Sequence, residues 1–481
     1  MSDPFVIVQP RVALDDPHAC TDASDTLTVF GALFDPLVRR EGQNFAPALA
    51  TAWTMSEDAR TTTFTLREGV RFHDGEPFDA EAARFNLERM ASPEQGATLG
   101  APGVYSQYLA GARVEALDAR TLRLTTLEPT ADILDVISAG NMASPRALER
   151  AGDHLAARAV GTGPYRLAEA REGAIFAERV DAHFDGRPAA ERLEWKRDPS
   201  PEARLALLEG GAAHAANGLP AEAARLDPAR FTLHEALVPT ALIVMFNCAR
   251  GPAADPRVRL ALNLAVDRRA LVRDVLGGEG EPLHAYLSRV HYGHDAGAPA
   301  FERDLPRAKR LLAEAGHGAG LTLGLSCPTR IPDEAERLAD ALGRQLAEIG
   351  VALEVEIDED RTRYANRVRL KEIRDACVFD SSPMSAFRVL HEKIDSRVRG
   401  SWWQGYANRN VEALIDRARR TPDRAARLDV LQRIDRALRD DPPWLYLYNH
   451  RRRLGLAGPG RPNPLREDAV LDARRLVPPG A

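Results

Sequence analysis

The chain has 481 residues, 44% of them hydrophobic, and a formal net charge of -6 at pH 7. That length exceeds what one core serves, so two large lobes or three domains are expected; the acidic balance offers no polycationic surface for nucleic acid, and no apolar run approaches the roughly 18 residues of a membrane span. Four cysteines, Cys20, Cys248, Cys327 and Cys377, stand far apart without a CxxC pair, which argues against structural zinc and for isolated buried thiols, a disulfide remaining open.

The opening MSDPFVIVQP enters a strand at residues 5–8 with neither a basic n-region nor a long apolar h-region. The chain as given is expected to be cytosolic, or exported with its leader removed. LDDPH at 14–18 is a turn, and residues 27–38 carry apolar side chains at helical spacing into FDPLVRR. TTTFTL at 61–66 alternates as a strand, HDGEPF at 73–78 is a tight loop, and Asp79 caps a helix through AEAARFNLERM. Two strand candidates flank Asp118-Ala119, a further apolar run occupies 133–137, and GTGPYRL at 161–167 is a glycine-proline turn entering a strand. Residues 176–180 and 193–196 continue the sheet, and a short helix over 202–209 ends at Gly210.

The pattern changes at 241–282. The run 242–246 reads as a strand buried on both faces, 247–254 as a flexible break, and Asp255 as the cap of a helix opening on Pro256. Val258, Leu262, Ala265 and Val266 line one face of that helix, and Gly277-Gly278 ends it. Asp304 caps a second helix running to Gly316. Strand 321–326, helix 334–349 and strand 351–357 form a βαβ unit, which requires a partly parallel sheet. A helix over 361–370, a strand over 376–379, helices over 411–418 and 424–438, and the strand WLYLY at 444–448 complete the lobe. Strands 241–248 and 444–449 then join two lobes, with 247–254 as the hinge.

Several of these segments in order, FDPLVRR, FAPALATAW, FTLREGVRFHDGEPFDAEAARFNLERM, GTGPYRL, VDAHFDGRP, ADPRVRLALNLAVDRRALVRDVLGGEGEP and RDLPRAKRLLAEAG, resemble the extracellular solute-binding proteins of family 5, the receptors of ATP-binding-cassette importers for peptides, nickel complexes and opines. The resemblance implies a mixed α/β, two-lobed periplasmic-binding-protein-like fold with two hinge strands. The first lobe would be 1–248 with 449–481, carrying an extra α+β subdomain at about 40–170, and the second 249–448. The chain departs from the family at Phe184-Asp185-Gly186, in the loop at 380–387 that follows Phe379, and at Ala407-Asn408-Arg409-Asn410.

The same resemblance points to ligand-binding residues. In peptide-binding relatives an aspartate near Asp380 pairs with the ligand's α-amino group, a charge-assisted bond that strengthens as water leaves; Ser381 lies beside it. The competing reading is an ordinary loop in which Ser382 caps a helix at Pro383. In SWWQGY adjacent tryptophans point different ways, so Trp402, Trp403 and Tyr406 divide between core packing and a flat wall for the ligand. In the first lobe the resemblance indicates Cys20 and Asp25 after LDDPH, and Tyr105 and Tyr108.

His284, His291 and His294 are expected in a solvated loop rather than a metal site, and the arginine runs at 417–420 and 451–453 on solvated faces. No GxSxG, GxxxxGK[ST] or GxGxxG occurs, so no catalytic residue, metal or cofactor is assigned. The expected function is capture of a short peptide or opine-like conjugate in an interlobe cleft and delivery to an importer permease. The receptor would be periplasmic and monomeric, with no nucleic-acid partner. The alternatives are a nickel- or metallophore-complex receptor and a leaderless cytosolic sensing module.

Overall fold

The computed structural model describes residues 3–20, 23–96, 103–152, 154–329 and 332–478. The chain forms two compact units, Met1–Ala236 with Arg452–Ala481, and Leu237–Arg451.

The first unit is built on the strand Phe5–Gln9, whose alternate side chains enter different apolar clusters, Phe5 and Ile7 one and Val8 another. It pairs in parallel with Arg192–Arg197 and with Ala215–Asn217. Antiparallel strands Ala174–Arg179 and Tyr165–Arg171 extend the sheet. A separate antiparallel sheet runs in the order Ala50–Met55, Thr61–Leu66, Thr121–Thr125, Arg113–Asp118. Helix Ala80–Ala91 begins where expected, because the Asp79 carboxylate accepts the Ala82 N–H at 3.0 Å, and it buries Ala83, Leu87 and Met90. The apolar run at 133–137 is a short helix, Ile133–Ile137.

Two of the sequence segments lock together here. A β-carbon on Gly161 would lie 2.1 Å from the Leu33 carbonyl, and one on Gly163 2.5 Å from that of Ala32, so only glycine lets this loop rest against the end of helix Ser24–Leu33. His73 fastens the other side, its backbone N–H reaching the Gly161 carbonyl at 2.8 Å and its Nε2 the Gly163 carbonyl at 2.9 Å.

In the second unit the strand order is Val351–Asp358, Leu321–Pro328, Ala376–Ser381, Phe231–Phe246, Trp444–Ala457. The βαβ unit is present, with Leu321 opposite Val351 in parallel and helix Ala335–Ala347 between the two strands. The strand through Leu242–Phe246 is buried on both faces as expected. Leu242, Val244 and Phe246 enter one core, and Ala241, Ile243 and Met245 the other. Neighbouring strands split likewise, Val378 from Phe379 and Leu445 from Tyr446. The strands Phe231–Phe246 and Trp444–Ala457 carry the chain from one unit to the other.

Local expectations required correction. The supposed flexible break at 247–254 is held inside the second unit, since the Asn247 N–H donates to the Asp375 carbonyl at 2.9 Å and the Cys248 N–H to that of Gln404 at 2.9 Å. The helix from Pro256 stops at Ala265, and a second, Arg268–Leu276, starts under the cap of Asp267. That interruption brings Arg268 inward, where it donates to the Tyr446 carbonyl at 2.7 Å and to Asn263 Oδ1 at 2.8 Å. The helix after Phe379 is Ala386–Lys393, capped by Ser385 and not by Ser382. All four cysteines are free thiols, and burial pushes Cys248, Cys327 and Cys377 up to about 12.

Candidate ligand-binding site

In the first unit, polar side chains gather where the parallel strands Phe5–Gln9 and Ala215–Asn217 end, the edge of an α/β sheet at which loops leave room for a ligand. Gln9 and Asn217 are fully buried. The Gln9 amide nitrogen donates to the carbonyls of Arg11 at 2.7 Å and Asp25 at 3.0 Å, yet its Oε1 has no partner. Both amide atoms of Asn217 are likewise without partners. Arg204 spans this edge, donating to the carbonyls of Asp198 and Gly218, while its buried Nε stays unpartnered. A buried polar atom left this way costs about 1–3 kcal/mol, which hydrogen bonds from a polar ligand would recover.

Asp25 stands in the first turn of helix Ser24–Leu33 and pairs with Arg452 at 2.9 Å. It is therefore joined to Gln9 through its own carbonyl. Cys20 is buried in the apolar cluster with Val29 and Phe30. Tyr105 is buried and donates to the Ala139 carbonyl at 2.5 Å, and Tyr108 is half-buried on the short helix Ser106–Leu109.

The LDDPH turn owes its shape to a charge cluster. Asp16 accepts from Arg89 at 2.5 and 2.8 Å and from Arg158 at 2.7 Å. Burial pushes the Asp16 carboxyl upward, but the Arg89 hydrogen bonds and the His18 N–H outweigh it and hold the group at about 2. Burial, with Arg89 beside it, lowers His18 to about 4. The neutral imidazole accepts from Arg89 at Nδ1 (2.7 Å) and donates from Nε2 to the Asn141 carbonyl (3.0 Å).

In the second unit the strand Ala376–Ser381 carries the predicted pair. Asp380 is half-buried opposite Leu242, and Ser381 is buried opposite Ala241 with a partnerless hydroxyl. Phe379 shares the Ser381 face by the two-residue alternation of a strand. Its ring lies 5.1 Å from that of Trp402 and 5.6 Å from the Arg361 guanidinium. Trp403 has other neighbours, with Nε1 donating to the Tyr406 carbonyl at 2.6 Å and Arg399 over its ring. Tyr406 is buried in the core with no partner for its hydroxyl, and burial raises its pKa. The structure thus gathers Ser381, Phe379 and Trp402 beside the core that also holds Tyr406, while Trp403 and Tyr406 close their own turn.

Gln9, Asn217 and Arg361 escaped the sequence reading. The first two are amides closing otherwise apolar strands, a signal open to reading, whereas nothing local distinguishes Arg361 from the other arginines of its helix.

The histidine loop is not solvated. His291 is 2% exposed, bonded to Ser288 Oγ at 3.0 Å and to the Pro383 carbonyl at 3.1 Å, and Gly293 lies against Leu431. The remote helix Arg424–Asp440 supplies that cover. Among the described residues no group of three or more His, Cys, Asp or Glu side chains is placed to hold a metal. A cavity of about 520 Å³ in the first unit is lined mainly by charged side chains, among them Arg39 paired with Asp185 at 2.6 Å and Arg474 with Asp472 at 2.8 Å.

Comparison with known proteins places these observations. The chain is 29% identical over 366 residues to the glutathione-binding protein GsiB of Salmonella typhimurium, spanning 73% of this chain and 68% of that one. The dipeptide-binding protein of Pseudoalteromonas sp. SM9913, solved in complex with Met-Leu, superposes with a TM-score of 0.78 at 18% identity, covering 98% of this chain and 99% of that one. The periplasmic binding protein DppA of Helicobacter pylori, in complex with the peptide STSA, superposes with a TM-score of 0.77 at 20% identity, covering 98% and 97%. These superpositions establish the α/β periplasmic-binding-protein fold. Residues 44–382 match the family described as bacterial extracellular solute-binding proteins, family 5 middle. The chain belongs to that family, and is a solute-binding protein rather than an enzyme.

Proposed function

We propose that the chain is the receptor of an ATP-binding-cassette importer, capturing a short peptide or an amino-acid-derived, opine-like conjugate and passing it to the permease. The observation that carries this reading is chemical. Buried amide, hydroxyl and guanidinium groups without partners, at Gln9 and Asn217 in one unit and at Ser381 and Arg361 in the other, suit the amides and charged ends of a peptide. Trp402 and Phe379 supply an aromatic surface, and Asp380 takes the ligand's ammonium. GsiB is named for glutathione, itself a peptide. The receptor works as a monomer in the periplasm, the setting of its family.

The test is calorimetric titration of the purified protein with glutathione, dipeptides and tripeptides. At least one is expected to bind, and at a hundredfold excess over its Kd to stabilise the fold by about 2.7 kcal/mol. Binding of a nickel chelate with no response to any peptide would overturn the reading.

A further inference from the structure

The cavity of about 520 Å³ in the first unit shares no residue with the candidate ligand-binding site. Three stretches remote in sequence line it: the strand Val38–Glu41 running into Gly42, the loop 185–188, and parts of the segment 465–475. Six of the lining side chains are arginines and four are carboxylates. Arg39 and Arg474 are largely buried and share Asp185, at 2.6 and 3.4 Å, and Arg474 donates twice more to Asp472 at 2.8 Å. The Nε of Arg39 is buried without a hydrogen-bond partner. Three further arginines are each held from one edge. Arg187 donates from Nε to Asp181 at 2.8 Å, Arg466 from Nε to Asp468 at 3.1 Å, and the Nε of Arg475 lies 3.5 Å from Asp472. Asp181 and Asp468, like the Asp135 that pairs with Arg40, stand outside the lining. They fix the guanidinium groups without filling the cavity. A guanidinium has five N–H donors, and among the described residues the two terminal nitrogens of Arg187 and of Arg475 make no hydrogen bond.

We infer that this cavity is a second binding site, which takes a phosphate monoester. The lining is rich in fixed donors and poor in groups that could match them. A monoester brings a charge of about −1.5 to −2 at neutral pH and three acceptor oxygens, and the guanidinium fork matches a phosphate edge with two parallel N–H bonds. A carboxylate brings one charge and two oxygens, and leaves most of these donors unmatched. The volume lies within the roughly 300–1,000 Å³ of small-molecule sites, so the organic part of the ester is accommodated as well as its phosphate. The loop that supplies Asp185 and Arg187 is one of the places where the sequence departs from its family, as a site particular to this chain requires.

The experiment titrates the full chain with glycerol 3-phosphate and with succinate by calorimetry, and measures co-flotation with phosphatidylcholine vesicles containing either phosphatidic acid, a lipid monoester, or phosphatidylglycerol, a diester. Glycerol 3-phosphate is expected to bind at least tenfold more tightly than succinate. The double variant Arg187→Gln/Arg475→Gln should lose at least tenfold in affinity for it while melting as wild type does, because the two side chains are 59% and 51% exposed. Binding of the soluble ester identifies a free phosphate compound as the ligand. Arginine-dependent flotation with phosphatidic acid alone identifies a lipid headgroup, and both outcomes uphold the inference. It is overturned by wild type if succinate binds as tightly as glycerol 3-phosphate, if phosphatidylglycerol vesicles are bound as well as phosphatidic acid vesicles, or if neither monoester binds. Undiminished binding by the double variant also overturns it. None of these outcomes bears on the peptide reading, whose site lies on other residues.

Discussion

His18 shows how a buried side chain sets a pH response. Its folded value of about 4 lies below the ordinary 6.5, because burial and Arg89 oppose the charged form. Between those values the unfolded chain takes up a proton that the folded chain refuses, so stability falls as pH drops from 6.5 to 4, by about 3 kcal/mol at most from this residue. His284, also lowered to about 4 by burial and by Arg268 and Arg439, adds in the same direction. Asp16 acts in a lower window, its contribution being present above 3.8 and lost as pH falls through about 2. Asp435 and Asp472, raised to about 6 by burial, act in the opposite direction between 6 and 3.8, so the measurement is urea denaturation of wild type and His18→Gln at pH 7.5, 5.5 and 4.5: the variant, which removes the titration but keeps an amide donor, is expected to lose less stability than wild type as pH falls. An unchanged slope in that variant would assign the acid sensitivity elsewhere.

At the scale of elements, glycine has opposite meanings at two positions. Gly163 lies where a β-carbon would meet backbone atoms of residues 32–34 at 2.5–2.6 Å, and neither partner has room to yield. Gly163→Ala is expected to destabilise by about 3 kcal/mol. Gly343 sits inside helix Ala335–Ala347, and a β-carbon there would meet nothing within 4 Å, so Gly343→Ala should stabilise by about 0.5–1 kcal/mol through helix propensity alone. Thermal or urea melts of the two variants check the contrast, and shifts of the same sign would refute it.

For the whole molecule the critical region is where the chain passes between units. Asn449 is buried, and its single Nδ2 lies 3.1, 3.1 and 2.9 Å from the carbonyls of Val238, Pro239 and Thr240. It thereby ties the returning strand to the outgoing one. Alongside, Glu334 accepts from Tyr448 at 3.1 Å and from His450 at 2.7 Å, and Arg451 pairs with Glu281 at 3.3 Å. Asn449→Ala is expected to cost about 2–3 kcal/mol in urea denaturation, and Asn449→Asp at least as much, since a carboxylate of the same size offers the carbonyls no donor. An Asp variant as stable as wild type would show that size, not donation, matters there.

What the sequence determined by itself was whatever a short window encodes. The caps at Asp79, Asp255 and Asp304, the doubly buried strand through Leu242–Phe246 and the βαβ unit from Leu321 all follow from periodicity and capping chemistry. The break at Val266 was illegible because the apolar spacing continues across it, while the inward turn of Arg268 answers to Tyr446, far along the chain. The histidine loop read as polar and solvated because its cover comes from a remote helix. In the candidate site, Asp380, Ser381 and Trp402 were legible through the family resemblance, and Arg361 was not. Whether a polar atom has a partner is a property of everything folded around it. Only the tertiary structure decided that Gln9, Asn217, Ser381 and Arg361 keep unspent hydrogen-bonding groups.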